Sequence, residues 1–411
     1  VQTTYLLNSV WVLVASVFVF LMQAGFAACE SGFARSKNAA NIWLKNLVDF
    51  LVGATVYYFI GFGLMYGNDW HGLVGCNGFI NPLSQDLDIW KSIDGQLSRP
   101  VYLLFQTMFC ATTATIISGT VAERFRFDSY IICSAFMTSI VYPIVGHWVW
   151  GGGWLSRIGF ADFAGSATVH MVGGTAALMG AIFVGPRIGK YNKDRTSNAI
   201  PGHNIPMGIL GGFLLWVGWY GFNPGSELAL DNITFFTAVT TTFAGCAGGL
   251  AGLFTSWIRY KKPDPTLAIN GALGGLVASC TAVAQVDYWG AFAIGLIAGI
   301  VITLSIDFVD HKLHVDDPVG AVSLHGVCGM TGTLLAGFFS NQDGLFYGFG
   351  GMRLLHQFIG VISIVAFVAA ATSLLFFVLK KTIGIRVPRE VELAGLDVTE
   401  HGMSAYPDIL N

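Results

Sequence analysis

Asp162-Phe163-Ala164-Gly165-Ser166-Ala167-Thr168-Val169-His170-Met171-Val172-Gly173-Gly174 returns, 155 residues on, as Asp317-Pro318-Val319-Gly320-Ala321-Val322-Ser323-Leu324-His325-Gly326-Val327-Cys328-Gly329. The frame Asp-x-x-Gly-x-x-x-x-His-x-Val-x-Gly is common to both runs. It opens an apolar, helix-length stretch each time. Two related halves that bring equivalent imidazoles to one place explain the repetition. An ionisable side chain in the middle of a membrane helix costs about 2.5–3.5 kcal/mol and faces an interior path as a rule. The pair is therefore the first functional candidate.

Composition places the chain in a membrane. Of 411 residues, 54% are hydrophobic and 11% charged, with mean hydropathy +0.63; soluble domains carry about 25% charged residues. The 52 glycines suit close helix packing in lipid. With 21 basic and 24 acidic residues, nothing points to nucleic acid. Seven cysteines, an odd number mostly in apolar stretches, argue against a disulfide framework. The chain starts at Val1 without a methionine, in keeping with removal of an upstream signal peptide.

Stretches long enough to span, about 20 residues each, fall near 5–29, 47–67, 100–121, 129–149, 163–184, 204–223, 232–258, 265–283, 289–309, 319–340 and 354–379. The expected architecture is an all-α polytopic membrane protein of eleven helices. With the N-terminus outside, 17 of the 21 basic residues lie on inner segments, and only Lys91, Arg99, Arg157 and Arg353 lie outside. The positive-inside rule then puts the C-terminus in the cytoplasm. The histidine frame falls in spans five and ten. Five helices followed by five entering from the other side make an inverted repeat, about 5–184 and 204–340, with its site near the midplane. The span at 354–379 lies outside the repeat. Residues 1–379 form the membrane domain and 380–411 a cytoplasmic tail.

Two imidazoles meeting in an apolar path share a proton, one donating and one accepting. A metal needs three or four ligands, and no Cys or carboxylate accompanies both histidines, so no metal or haem is expected. Near outer helix ends lie Phe109, Trp148, Trp150 and the run Trp219-Tyr220-Gly221-Phe222-Asn223-Pro224-Gly225-Ser226. Aromatic faces attract cations by about 0.5–2 kcal/mol, and a Ser226 hydroxyl adds an acceptor. Composition alone leaves an interfacial aromatic belt as the simpler reading. Asp162 and Asp317 stand where N-caps stand, complementing the helix dipole. Glu30 beside Arg35 and Lys37, and Glu123 beside Arg124 and Arg126, read as ion pairs at inner helix ends.

Over nearly its whole length the chain resembles the ammonium transporter (Amt/Mep/Rh) family, in its Amt branch. The motifs are Met22-Gln23-Ala24-Gly25-Phe26-Ala27, Arg35-Ser36-Lys37-Asn38, Phe105-Gln106, Ala122-Glu123-Arg124, Asp162-Phe163-Ala164-Gly165-Ser166, Gly221-Phe222-Asn223-Pro224-Gly225-Ser226 and His325-Gly326-Val327-Cys328-Gly329. The tail adds Arg386-Val387-Pro388, Gly395-Leu396-Asp397 and His401-Gly402. The resemblance implies a non-enzymatic homotrimer with an ammonium-conducting pore in each protomer of an inner, cell-bounding membrane. Ammonium recruitment would map onto Trp150, Phe109 and Ser226, a phenylalanine gate onto Phe109 and Phe222, the pore pair onto His170 and His325, and a structural aspartate onto Asp162. A PII-type regulatory protein is the implied partner at the cytoplasmic face; no cofactor is implied. The same fold also serves an ammonium sensor, whose tail would signal to a partner or fused domain beyond Asn411. The chain departs from the family at Cys280, followed by Thr281, where many relatives carry threonine near the outer vestibule; the expectation is a loosened outer site.

Overall fold

In the computed structural model, which describes residues 2–407, the two histidine helices cross at backbone contact in the centre of a helical bundle. Numbered in chain order, the spanning helices are α1 (Gln2–Phe33), α2 (Ser36–Tyr66), α3 (Arg99–Val121), α4 (Phe127–Arg157), α5 (Ser166–Val184), α6 (Ile205–Glu227) and α7 (Asn232–Tyr260). There follow α8 (Pro265–Ser279), α9 (Tyr288–His311), α10 (Val322–Phe339) and α11 (Met352–Lys381). Ten of them are long and apolar enough to cross a bilayer. The eleventh, α8, has 15 residues, or about 22 Å of helix. It ends short of the expected 283, and the chain continues in turns through Cys280 and Thr281.

The second helix begins eleven residues earlier than its hydropathy suggests, at Ser36 rather than 47. Its first turns carry Asn41, Lys45, Asn46 and Asp49, which read as polar but are all buried against protein. Lys45 Nζ donates to the Phe125 carbonyl at 3.0 Å, and Tyr130 Oη donates to Asp49 at 2.5 Å. Internal partners replace water, and the hydropathy window misses the helix start.

The repeated frame produces repeated geometry. Both histidine helices open with a π turn, Ser166–Met171 and Val322–Val327. In each, the frame aspartate accepts from the amide five residues on: Ala167 N to Asp162 at 2.9 Å, Val322 N to Asp317 at 2.7 Å. The glycine that closes each frame sits where the helices cross. A Cβ on Gly174 would lie 2.1 Å from Gly326 N, and one on Gly329 would lie 2.5 Å from the Ser166 carbonyl oxygen. Only glycine admits this approach.

The inner face, named for its basic residues, is tied by a buried ion network different from the neighbour pairs expected. Glu123 takes Arg35 and Arg187 instead of Arg124 or Arg126. Arg187 also pairs with Asp316 at 2.9 Å, and Arg124 donates to the Thr120, Ala122 and Asp316 carbonyls. Burial alone would raise the Asp316 carboxyl, but the Arg124 charge and the Arg187 hydrogen bonds hold it well below the usual carboxylate range. Glu30 pairs with neither Arg35 nor Lys37: it is buried and accepts from Asn46 Nδ2 at 2.9 Å. It lies a turn too deep in α1 to reach the basic residues.

After α11 the tail forms two short helices, α12 (Arg389–Ala394) and α13 (Leu396–His401), with α13 packed on the inner end of α2. Asp397 accepts from the Ala40 and Asn41 amides at 3.0 and 2.8 Å, and Lys37 donates to the Glu392 and Leu393 carbonyls. Gly174→Ala is expected to destabilise the bundle by about 1–3 kcal/mol, the usual cost of overpacking. Thermal unfolding of the purified protein checks this, and an unchanged melting temperature counts against the crossing as described.

Candidate functional site

A cavity of about 310 Å³ opens on the outer side, lined by Tyr66, Tyr102, Phe105, Gln106, Phe109, Val149, Trp150, Phe163, Ser226 and Leu228. Trp150, directly after the long helical part of α4 stops at Val149, is aimed by its indole N–H, which donates to the Asp162 carbonyl at 2.7 Å. Ser226 lies in a one-turn 3-10 helix, Pro224–Glu227, and its hydroxyl donates to the Phe222 carbonyl at 2.7 Å. That leaves the oxygen lone pairs free to accept from a ligand. Gln106 Oε1 is buried with no hydrogen-bond partner. The cavity thus offers aromatic faces and uncharged acceptors, a lining suited to a small cation with N–H donors.

Below the cavity the rings form a ladder. Phe109 meets Trp150 edge-on, with centroids 6.2 Å apart. Phe109 stacks on Phe222 at 4.1 Å and 17°. Phe222 stacks on His170 at 5.2 Å, and Trp219 stacks on the same imidazole at 5.3 Å. His170 stacks on His325 at 5.2 Å and 23°, and Phe26 lies beyond at 5.7 Å from His325. Phe222 and His170 are fully buried and Phe109 nearly so, so the two phenylalanine rings close the floor of the outer cavity.

The histidines meet through Nδ1 atoms 3.1 Å apart. Such a contact needs one ring to donate and the other to accept, so the pair holds a single proton between the two nitrogens. His170 Nε2 is buried without a partner. Among the described residues no carboxylate hydrogen-bonds either ring, so the contact joins two imidazoles in apolar surroundings and is not a charge pair. Among the described residues no group of His, Cys, Asp or Glu has the arrangement to hold a metal ion.

Asp162 is saturated. Gly165 N, Ala167 N, Thr168 N, Thr168 Oγ1 and Thr281 Oγ1 all donate to it at 2.8–3.0 Å. Its carboxylate fixes the first turn of α5, and its backbone carbonyl holds the Trp150 indole. Cys280 and Thr281 act behind this anchor, outside the lining of the vestibule. Trp219 Nε1 donates to Cys280 Sγ at 3.3 Å, while Thr281 holds Asp162. Cys280 therefore bears on the indole beside His170 and is not among the residues that line the outer cavity.

Of the residues expected at the site from sequence, the structure places Trp150, Phe109 and Ser226 at the outer cavity and Phe222, His170 and His325 in the ring stack beneath it. Trp148 lies elsewhere: it packs on Trp154 and Phe367 and donates to the Leu73 carbonyl. Sequence reasoning passed over Tyr66, Tyr102 and Phe26. Tyr66 and Tyr102 carry no local pattern, and Phe26 stood only within the Met22–Ala27 motif, with no role at the site.

Residues 10–406 match the model of the Ammonium Transporter Family. Ammonium transporter Amt2 of Archaeoglobus fulgidus is 40% identical, over 98% of this chain and 88% of its own. Ammonium transporter Amt2 of Methanocaldococcus jannaschii is 39% identical, over 97% and 91%. Among solved structures, a Sensor Amt Protein superposes with a TM-score of 0.92 at 39% identity, covering 97% of this chain and 99% of that one. Mep2 of Saccharomyces cerevisiae superposes at 0.85 with 26% identity, covering 95% and 89%.

Asp162→Asn replaces an oxygen that only accepts by an amide that donates toward N–H groups. Each buried donor left unmet costs about 1–3 kcal/mol. The expected result is a lower melting temperature together with altered fluorescence of the Trp150 indole; a variant matching the parent in both overturns the anchoring role.

Proposed function

The chain belongs to the ammonium transporter family, and from that premise we propose a path for its substrate along the stacked rings. The protein carries ammonium across a membrane. The cation is drawn to the Trp150 and Phe109 faces, and its N–H groups donate to Ser226. Swinging of Phe109 and Phe222 admits it to the sleeve. Stripping water from a cation favours its neutral form, so ammonium releases its proton at this boundary. The proton passes over His170 and His325, and ammonia follows through the apolar pore. The observation that carries this reading is the 3.1 Å Nδ1 contact lying directly beneath the stacked phenylalanines.

Several further features rest on the family and on the charge pattern. We place the N-terminus outside and the C-terminus in the cytoplasm of a cell-bounding membrane, and we take three copies as the working unit. The docked tail, α12 and α13, is the surface that a PII-type regulatory protein would read. The superposition on a Sensor Amt Protein favours one other reading, in which the same occupied site signals through this tail.

Ammonium-evoked current in proteoliposomes decides between transport and sensing. Transport predicts a saturable current in the parent protein. Replacing both His170 and His325 by alanine should lower that current about 100-fold, the low end of what positioned proton-transfer groups contribute. Undiminished current with unchanged ion selectivity overturns the relay, and a parent protein without current favours the sensor.

A further inference from the structure

Directly inward of the histidine pair lies a second, small cavity of about 20 Å³, lined in part by His325, Phe26, Glu30, Asn270 and Val319. By volume it has room for about one water-sized molecule. Asn270 and Val319 also line a wider cavity of about 460 Å³, with Phe33, Asp264 and Asp317, at the inner face. The path from His325 to the inner face therefore runs past a carboxyl group. Glu30 is 3% exposed and accepts from Asn46 Nδ2, with the Ser118 hydroxyl beside the same amide. Among the described residues no Lys, Arg or His forms an ion pair with it; Lys45 is near enough to act on it through charge but donates to the Phe125 carbonyl instead of pairing. An ionised carboxylate buried without a counter-charge is costly. It needs either a proton or a cation in the cavity beside it. The room for it is kept by Gly119, where a Cβ would lie 2.4 Å from Val319 Cγ2 and 3.1 Å from Glu30 Cγ.

Resting on the transport reading above, we infer that Glu30 is the inner proton station of the pore, where arriving ammonia becomes ammonium again. Ammonia takes the proton of the Glu30 carboxyl: an N–H bond forms, the O–H bond breaks, and ammonium stands against the new carboxylate. Ammonium then leaves past Asn270 into the inner cavity. The proton that travelled over His170 and His325 reaches the carboxylate through the molecule occupying the small cavity and restores the acid. One proton enters with each ammonium and one leaves with it. The site takes a small cation with N–H donors, and the Asn46 amide holds the carboxyl group in place.

The test compares charge with nitrogen. Parent protein, Glu30→Gln and Glu30→Asp are reconstituted, and ammonium-evoked charge is recorded in parallel with uptake of labelled ammonium. Glu30→Gln keeps the size of the side chain and an acceptor for Asn46 but has no proton to give. It should lower charge moved per nitrogen about tenfold while nitrogen uptake falls far less, and Glu30→Asp should restore the ratio. A ratio unchanged in Glu30→Gln overturns the proposal and leaves transport standing. Equal loss of charge and nitrogen marks a merely structural role and also overturns it. A parent protein that moves no charge overturns transport itself, before any variant is compared.

Discussion

The arrangement depends on two helices whose backbones touch. At Gly174 and Gly329 no side chain separates α5 from α10, and the next helical turns bring the imidazoles to bonding distance. In lipid, where burying apolar surface between helices gains little, such close approach is a main source of association. The frame aspartates then set the rotation of each helix by capping its first turn. Approach and rotation together leave the rings one way to face.

Along the path, polarity falls and then returns. The outer cavity offers aromatic faces and neutral oxygens, enough to attract a cation without binding it as a carboxylate would. The stacked rings offer nothing to a charge. Beyond the histidines, Asn270 and Glu30 supply polar groups again. A species crossing this profile does best charged at both ends and neutral between, which the chemistry of an amine and its conjugate acid allows. The saturated Asp162, close to the entrance, holds the first turn of α5 by its carboxylate and the Trp150 indole by its backbone carbonyl.

Much of this was legible in the sequence where a pattern had to repeat. The Asp-Gly-His-Val-Gly frame announced the helix pair because the same backbone contacts must be made twice. Single residues whose meaning comes from distant partners were opaque. The acids of the inner face were assigned to neighbours in sequence, whereas Arg187 and Arg35 reach Glu123 from other elements. Asn41, Lys45 and Asp49 disguised the start of α2, because hydropathy cannot distinguish a polar group facing water from one satisfied inside. Cys280 was expected near the entrance; as the residue directly after α8 it instead lies behind Trp219.

Asn38, the residue before the first α-helical turn of the second span, offers no side-chain cap. The amides of Ala40 and Asn41 are met by Asp397, more than 350 positions away. The helix that carries Asn46 against Glu30 is therefore finished by a borrowed end-piece. Lifting α13 away would leave those amides bare and let the first turn fray, so that a disturbance at the chain's far end is felt inside the conduit without any motion of the rings.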